Sequence, residues 1–278
     1  MIVWMIQSAF FRNKLVLITG GSSGIGKRLA ADFLRSGARV VIVSNMPDGL
    51  DQTIHEFAAI SPCATGIICD VSDSQSVLQM KEQVLTDYGC PDILINSAGF
   101  ATYRTVEGST LDELERLVDV NFMGAVRCTR AFLPAMIARR SGTVVNMASI
   151  AGRLVMTPNG TYSAAKHALV AWSEVLRYEL ARFNIQVNVI CPGRVEADTS
   201  FFEHETFRDR APRAETRLTI TVGDVSQATF HAIAHKRFLT YVPWTLGLIV
   251  WLTNAFPFFV KPIYRRLMLS RIDSLYTD

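Results

Sequence analysis

Thr19-Gly20-Gly21-Ser22-Ser23-Gly24-Ile25-Gly26 stands between an apolar, β-branched run, Lys14–Thr19, and a helical pattern, Lys27–Ser36. A glycine cluster alone reads as a turn. Directly after a strand and at the opening of a helix, it has a second meaning. Glycines let the backbone turn tightly and approach a diphosphate, and the helix N-terminus offers unpaired N–H groups at the positive end of its dipole. Gly20, Ser22, Ser23, Gly24, Ile25 and Gly26 are therefore candidate phosphate-contacting residues. No Gly-x-x-x-x-Gly-Lys-Ser/Thr run is present, which argues against a nucleoside-triphosphatase loop.

Outward from this loop the rhythm repeats. Arg39–Ser44, Gly66–Asp70, Ile93–Asn96, Gly142–Met147 and Gln186–Ile190 read as strands, with helical patterns at Ser74–Tyr88, Thr110–Arg130 and Tyr162–Phe183. Apolar runs without alternation suit strands buried on both faces. Strands alternating with helices imply right-handed crossovers and an α/β, Rossmann-type, doubly wound parallel sheet with helices on both faces, in a single domain. The expected organisation is an apolar N-terminal segment (1–11), a catalytic domain (12–235) and an apolar, basic extension (236–278). Within the domain, 194–222 breaks the rhythm and reads as a substrate loop.

Composition narrows the class. The chain has 278 residues, 49% of them hydrophobic, and a net charge of +3, too small to argue for a nucleic-acid partner. The five cysteines, Cys63, Cys69, Cys90, Cys128 and Cys191, form no Cys-x-x-Cys pair. They suggest a reducing, cytoplasmic setting and neither a disulfide framework nor a metal site. His231 and His235 are four apart without a third ligand and read as surface or packing residues.

Tyr162 and Lys166 lie four apart on a helical pattern and project from one face. An ammonium beside a phenol favours the phenolate, so the pair can act as a tuned acid and base. Ser149 offers a hydroxyl to a substrate oxygen on which negative charge develops. Each residue alone has a bland reading, as surface neighbours or a helix cap. Their occurrence together with the glycine loop reverses that.

The order of the Thr19–Gly26 loop, Asp70-Val71, Asn96-Ser97-Ala98-Gly99, Asn121, Ser149, Tyr162-x-x-x-Lys166 and Pro192-Gly193 resembles the short-chain dehydrogenase/reductase family over about residues 12–235. The resemblance implies that Asp70 and Val71 hold an adenine. It implies that Asn96, Ala98 and Gly99 line the cofactor site, as do Pro192, Gly193 and Val195. It further gives Lys166 the nicotinamide ribose and gives Asn121 a water in a proton relay. In the family, helices at the places of Thr110–Arg130 and Tyr162–Phe183 form two-fold interfaces, so the resemblance also implies a homodimer or homotetramer. One departure stands out: Ala197 replaces the family's threonine at the carboxamide contact, and Thr199 lies two residues on.

The second strand ends Val43-Ser44-Asn45, with no acid to take a ribose 2′-hydroxyl. Ser44 and Asn45 can donate to a 2′-phosphate, with Lys27 or Arg28 near, so NADP(H) is favoured over NAD(H). Phe238–Val260 carries no charge, although Pro243 and Pro257 interrupt it. Trp244–Phe256 is apolar all round and must be buried in lipid or protein. Lys261, Arg265, Arg266 and Arg271 follow, as suits a peripheral or monotopic membrane contact. The expected substrate is a hydrophobic small molecule such as a 3-oxo lipid, of which 3-ketosphinganine is one example. The alternative is a non-catalytic NAD(P)-binding scaffold or sensor at a membrane.

Overall fold

A computed structural model describes residues 10–102, 104–196 and 219–276. Seven parallel strands form one sheet: β1 Leu15–Thr19, β2 Arg39–Ser44, β3 Ala64–Ile68, β4 Ile93–Asn96, β5 Gly142–Met147, β6 Ile185–Pro192 and β7 Leu239–Val242. Their spatial order is 3-2-1-4-5-6-7. The helices are α1 Gly24–Arg35, α2 Pro47–Ala58, α3 Ser74–Asp87, α4 Leu111–Val118, α5 Gly124–Arg139, α6 Gly160–Ala181, α7 Val222–Ala234, α8 Thr245–Ala255 and α9 Pro257–Tyr276.

The central strands are buried throughout: Val16, Leu17 and Ile18 of β1 and Leu94 and Ile95 of β4 expose nothing. The alternating side chains of each strand feed two cores, one on each face. One holds Val16, Ile18, Val40 and Ile42 under α1, α2 and α7. The other holds Leu17, Val41, Leu94 and Val144 under α3, α5 and α6. Phe11 is fully buried in the first core, in a ring cluster with Phe33 and Phe230. The apolar N-terminal segment thus ends as a core element; residues 1–9 lie outside the described residues.

Several expected bounds move. The third strand ends at Ile68, not Asp70, because its register with β2 stops at the Ser44–Ile68 pair. Asp70 sits in the loop beyond, where its carboxylate accepts the Ser72 N–H (2.9 Å) and hydroxyl (2.7 Å). The helix read over Thr110–Arg130 is three pieces: α4, a π-turn at Asp119–Met123, and α5, which runs through Pro134 to Arg139. Thr110 and Glu113 form a capping box at its start. The sheet also runs past residue 235: β7 pairs with β6 from Val189–Leu239 to Pro192–Val242. Phe238–Val260 is therefore no continuous helix but opens as a strand. The excursion at 194–222 is pinched at its base by a Val195–Ile220 bridge. Ala197 and Thr199 lie outside the described residues.

The sheet is stitched internally by a polar chain. Asn96 Nδ2 donates to Thr129 Oγ1 (3.0 Å) and Asn146 Oδ1 (2.8 Å), and Asn146 Nδ2 donates to Ser173 Oγ (2.8 Å). All four are buried. Two substitutions probe these layers by urea denaturation. Phe33→Ala is expected to cost about 3–5 kcal/mol, since it opens a cavity in a ring cluster. Asn146→Ala is expected to cost about 2–4 kcal/mol by orphaning buried partners; a loss within about 0.5 kcal/mol would mean that water replaces them.

Candidate active site

Parallel strands all end at one edge, and in this sheet the loops after β1, β4, β5 and β6 meet there. Thr19, Asn96 and Asn146 are register partners across β1, β4 and β5. The Thr19 hydroxyl accepts the N–H groups of Ser97 (3.1 Å) and Ala98 (3.2 Å), tying the first loop to the loop after β4. This tie is a role the sequence reading did not assign to Thr19.

Two glycines of the first loop admit no side chain. Gly20 has φ +66°, and a Cβ there would lie 2.8 Å from Ala98 Cα; a Cβ on Gly26 would lie 2.1 Å from the Gly20 carbonyl oxygen. Ser23 precedes α1 in extended conformation, yet its side chain caps none of the first-turn N–H groups. Those groups remain available to an anion, with the dipole of a twelve-residue helix behind them. The cradle therefore fits a dinucleotide diphosphate.

Around it, the expected residues divide. Ser22 turns its hydroxyl to Ser44 (2.8 Å), which also accepts the Met46 N–H (3.1 Å). Ser44 thus shapes the turn after β2 as well as facing it. Asn45 is exposed and hydrogen-bonds the Asp70 side chain; partial burial pushes that carboxyl up, but the Ser72 hydroxyl and N–H, and after them Asn45, hold it below its ordinary value. Lys27 and Arg28, expected near a 2′-phosphate, are paired with Glu56 and Asp32, each at 2.7 Å. The Asn96 side chain faces the sheet interior, so it steadies the site rather than lining it. Val71 is buried against Gly124. The Gly193 N–H donates to the Val242 carbonyl (2.7 Å), anchoring the loop after β6 to β7.

The second half of the site converges from three elements. Ser149 leaves β5 and accepts the Ala151 N–H (3.1 Å) at the start of a 3-10 turn, Ile150–Gly152. Its side chain also hydrogen-bonds Tyr162. Tyr162 and Lys166 come from α6 and are both buried, with Lys166 Nζ 5.7 Å from the Tyr162 ring centre. Lys166 donates to the Met147 carbonyl (3.0 Å). Asn121 occupies the π-turn, a distortion that often marks functional positions. Its Nδ2 donates to the carbonyls of Phe100 (2.8 Å) and Leu117 (3.0 Å), and its buried Oδ1 has no partner among the described residues. A Cβ on Gly99 would lie 2.6 Å from that oxygen and 3.5 Å from Lys166 Nζ. Gly99 thus packs directly against the orphaned acceptor, with the Lys166 ammonium close by.

Electrostatics here depart from the sequence expectation. Burial pushes the Tyr162 phenol up to about 12, only partly offset by its bond to Ser149. Burial likewise lowers Lys166 from its ordinary 10.5 to about 8. In the protein alone, desolvation outweighs the ammonium's pull on the phenol. Buried Cys191 adjoins both groups, and burial raises its thiol to about 12, so it stays neutral. Nothing in its sequence context marked it as a neighbour of the pair.

The short chain dehydrogenase family model matches residues 14–206. Bovine dehydrogenase/reductase SDR family member 7B is 34% identical over 205 residues, covering 71% of this chain and 62% of the bovine protein. The match thus spans under two thirds of that relative's length. A solved short-chain dehydrogenase/reductase from Burkholderia phymatum in complex with NAD aligns with a TM-score of 0.79 at 26% identity, over 88% of this chain and 94% of that one. A variant of actinorhodin polyketide ketoreductase with NADPH aligns at 0.77 and 27% identity, over 84% and 97%. This chain belongs to the short-chain dehydrogenase/reductase family.

Lys166 carries a further consequence. Its native value lies below its unfolded one, so the unfolded chain binds the proton more tightly. The contribution of Lys166 to native stability therefore rises with pH from about 8 towards 10.5, and at neutral pH the buried ammonium is destabilising. Lys166→Met is expected to raise Tm by about 2–5 °C at pH 7 while lowering turnover about 10²–10⁴-fold. A lowered Tm in calorimetry would mean that the bond to Met147 outweighs the burial.

Proposed function

We propose that this protein is an NADP(H)-dependent oxidoreductase that interconverts a ketone and a secondary alcohol on a hydrophobic, lipid-like substrate. The observation that carries this reading is the convergence of Ser149, Tyr162 and Lys166 at the sheet edge that also holds a glycine-built dinucleotide cradle. When bound, the nicotinamide supplies or accepts the hydride. The chain's own residues do the rest. Ser149 donates a hydrogen bond to the substrate oxygen and orients it. Tyr162, a neutral phenol at neutral pH, passes its proton to that oxygen in reduction and takes one back in oxidation. Lys166, an ammonium below about pH 8, stabilises the phenolate left behind and holds the nicotinamide ribose. Asn121 Oδ1 holds a water against Lys166 through which Tyr162 is reprotonated. Burial of both groups excludes bulk water, which strengthens these interactions.

The cofactor preference rests on the turn after β2. It carries Ser44 and the exposed Asn45, both able to donate a hydrogen bond, and neither position is an acid that would repel a 2′-phosphate. The Lys27 partner, Glu56, belongs to the helix that follows this turn and is half exposed, so Lys27 can exchange it for a phosphate. Titration with NADPH and NADH, read by nicotinamide fluorescence, tests this: at least about tenfold tighter NADPH binding is expected, equivalent to about 1.4 kcal/mol. Ser44→Asp is expected to reverse the order. Equal affinities in the parent protein would overturn the preference.

The substrate class rests on apolar α8 and α9 beside the site and on the ketoreductase named among the solved relatives. A 3-oxo lipid of the 3-ketosphinganine type fits it. The high phenol value sets the pH behaviour. Reduction uses the neutral phenol and should be level from pH 6 to 8. Alcohol oxidation needs the phenolate and should accelerate with rising pH over the same range. Parallel initial-rate profiles in both directions check this, and an oxidation rate that falls with pH would contradict Tyr162 as the base.

A further inference from the structure

The last two helices leave much of their apolar surface uncovered among the described residues. In α8, Leu246 and Val250 are buried, whereas Leu248, Ile249, Trp251 and Leu252 are exposed, as is Trp244 just before it. No single described helix is long and apolar enough to cross a bilayer, and α9 leaves α8 at an angle of 117°. Phe258 is 91% exposed, and Phe259, Ile263 and Leu267 repeat every four residues as one exposed stripe of α9. Such a surface marks an interaction site. The charge beside it has one sign: Lys261, Arg265 and Arg266 are exposed, and the sequence has no Asp or Glu from Arg237 to Ile272. Acyl chains match the aromatic and aliphatic side chains, and anionic headgroups match the cations.

A different face of α9 is tied to the catalytic domain. The Tyr264 hydroxyl donates to the Val155 carbonyl and lies 3.7 Å from the Met156 sulfur. The Thr157 hydroxyl donates to the Met268 carbonyl (3.1 Å). Met156 in turn packs on the cluster of Ala101, Ala151 and Tyr162. One helix therefore carries the uncovered stripe and also props the loop behind the reactive tyrosine.

We propose that α8 and α9 dock the protein on an anionic lipid surface, and that α9 transmits the docking to Tyr162 through Tyr264, Met268 and residues 155–157. The ketone is then taken from the bilayer rather than from water. The docking stands on geometry and charge alone; the transmission rests on the reductase reading above. Tyr264 is a positioning residue, not a catalytic one.

The test sediments the full chain with vesicles of phosphatidylcholine, with and without phosphatidylglycerol. Pelleting is expected with the anionic vesicles and is expected to fall with added salt. The combined Phe258→Ser, Phe259→Ser and Ile263→Ser variant should lose it while keeping the parent's nicotinamide fluorescence titration, which reports an intact fold. Pelleting that ignores phosphatidylglycerol, or survives the three substitutions, overturns the docking. So does a parent protein that self-associates through this stripe without binding vesicles, which would assign the face to a second copy. Tyr264→Phe isolates the transmission. It should pellet like the parent but lose the rise in kcat/KM that vesicles give for a long-chain ketone, with the rate on a short soluble ketone kept. An unchanged rise overturns the transmission. Pelleting without turnover of any ketone upholds the docking and overturns both the transmission and the reductase reading.

Discussion

The contact on which the site depends is the closure of β1 against β4. Five register pairs join β1 to β2 in parallel and four join it to β4, so β1 is held from both sides. The chain leaving it has no room for side chains: Gly20 lies against the Ala98 backbone, Gly26 lies against Gly20, and Thr19 bonds two amides of the facing loop. Moving any one of these segments moves the others. The diphosphate cradle and the Ala98–Gly99 wall are thus one rigid object, and Gly99 carries the rigidity on to Asn121 and Lys166. A site of this kind is held by backbone, which is why so few of its residues are large.

Against that rigidity stands an electrostatic cost. Lys166 is buried and donates to the Met147 carbonyl, Asn121 keeps an oxygen without a partner among the described residues, and Tyr162 is desolvated beyond what its hydrogen bond offsets. Each feature destabilises the protein by itself. Together they describe a place prepared for groups that supply the missing charge and hydrogen bonds, so that binding relieves what folding leaves unsatisfied. The polar chain Asn96–Asn146–Ser173 ties β4, β5 and α6 together and belongs to the architecture, although Asn96 Oδ1 is also without a partner among the described residues.

The C-terminal helices extend the same logic outward. β7 adds the last strand, Gly193 is fixed to it, and Leu246 fills the space beside Gly193 that a side chain would need. The extension is consequently continuous with the loop after β6, and α9 reaches back to the segment preceding α6. An apolar surface on such an element is placed next to the chemistry rather than hung at a distance from it.

Much of this was legible in sequence because the signals are local. Gly20, Gly24 and Gly26 between a strand and a helix, and Tyr162 and Lys166 one helical turn apart, report their own geometry through backbone freedom and helical period. The six core strands were readable from uninterrupted apolar runs. What was misread depends on partners distant in the chain. The end of β3 is set by its register with β2, and β7 was not marked as a strand because a short apolar strand lying in a longer apolar stretch has no signal of its own. The π-turn that presents Asn121 leaves no mark in periodicity. The sequence also put Lys166 beside Tyr162 and so pointed to a lowered phenol. The tertiary structure decided otherwise, because burial is a property of everything packed around the pair: residue types and short-range spacing were determined by the sequence alone, whereas register, desolvation and the meeting of α9 with residues 155–157 arise only when distant segments share one space.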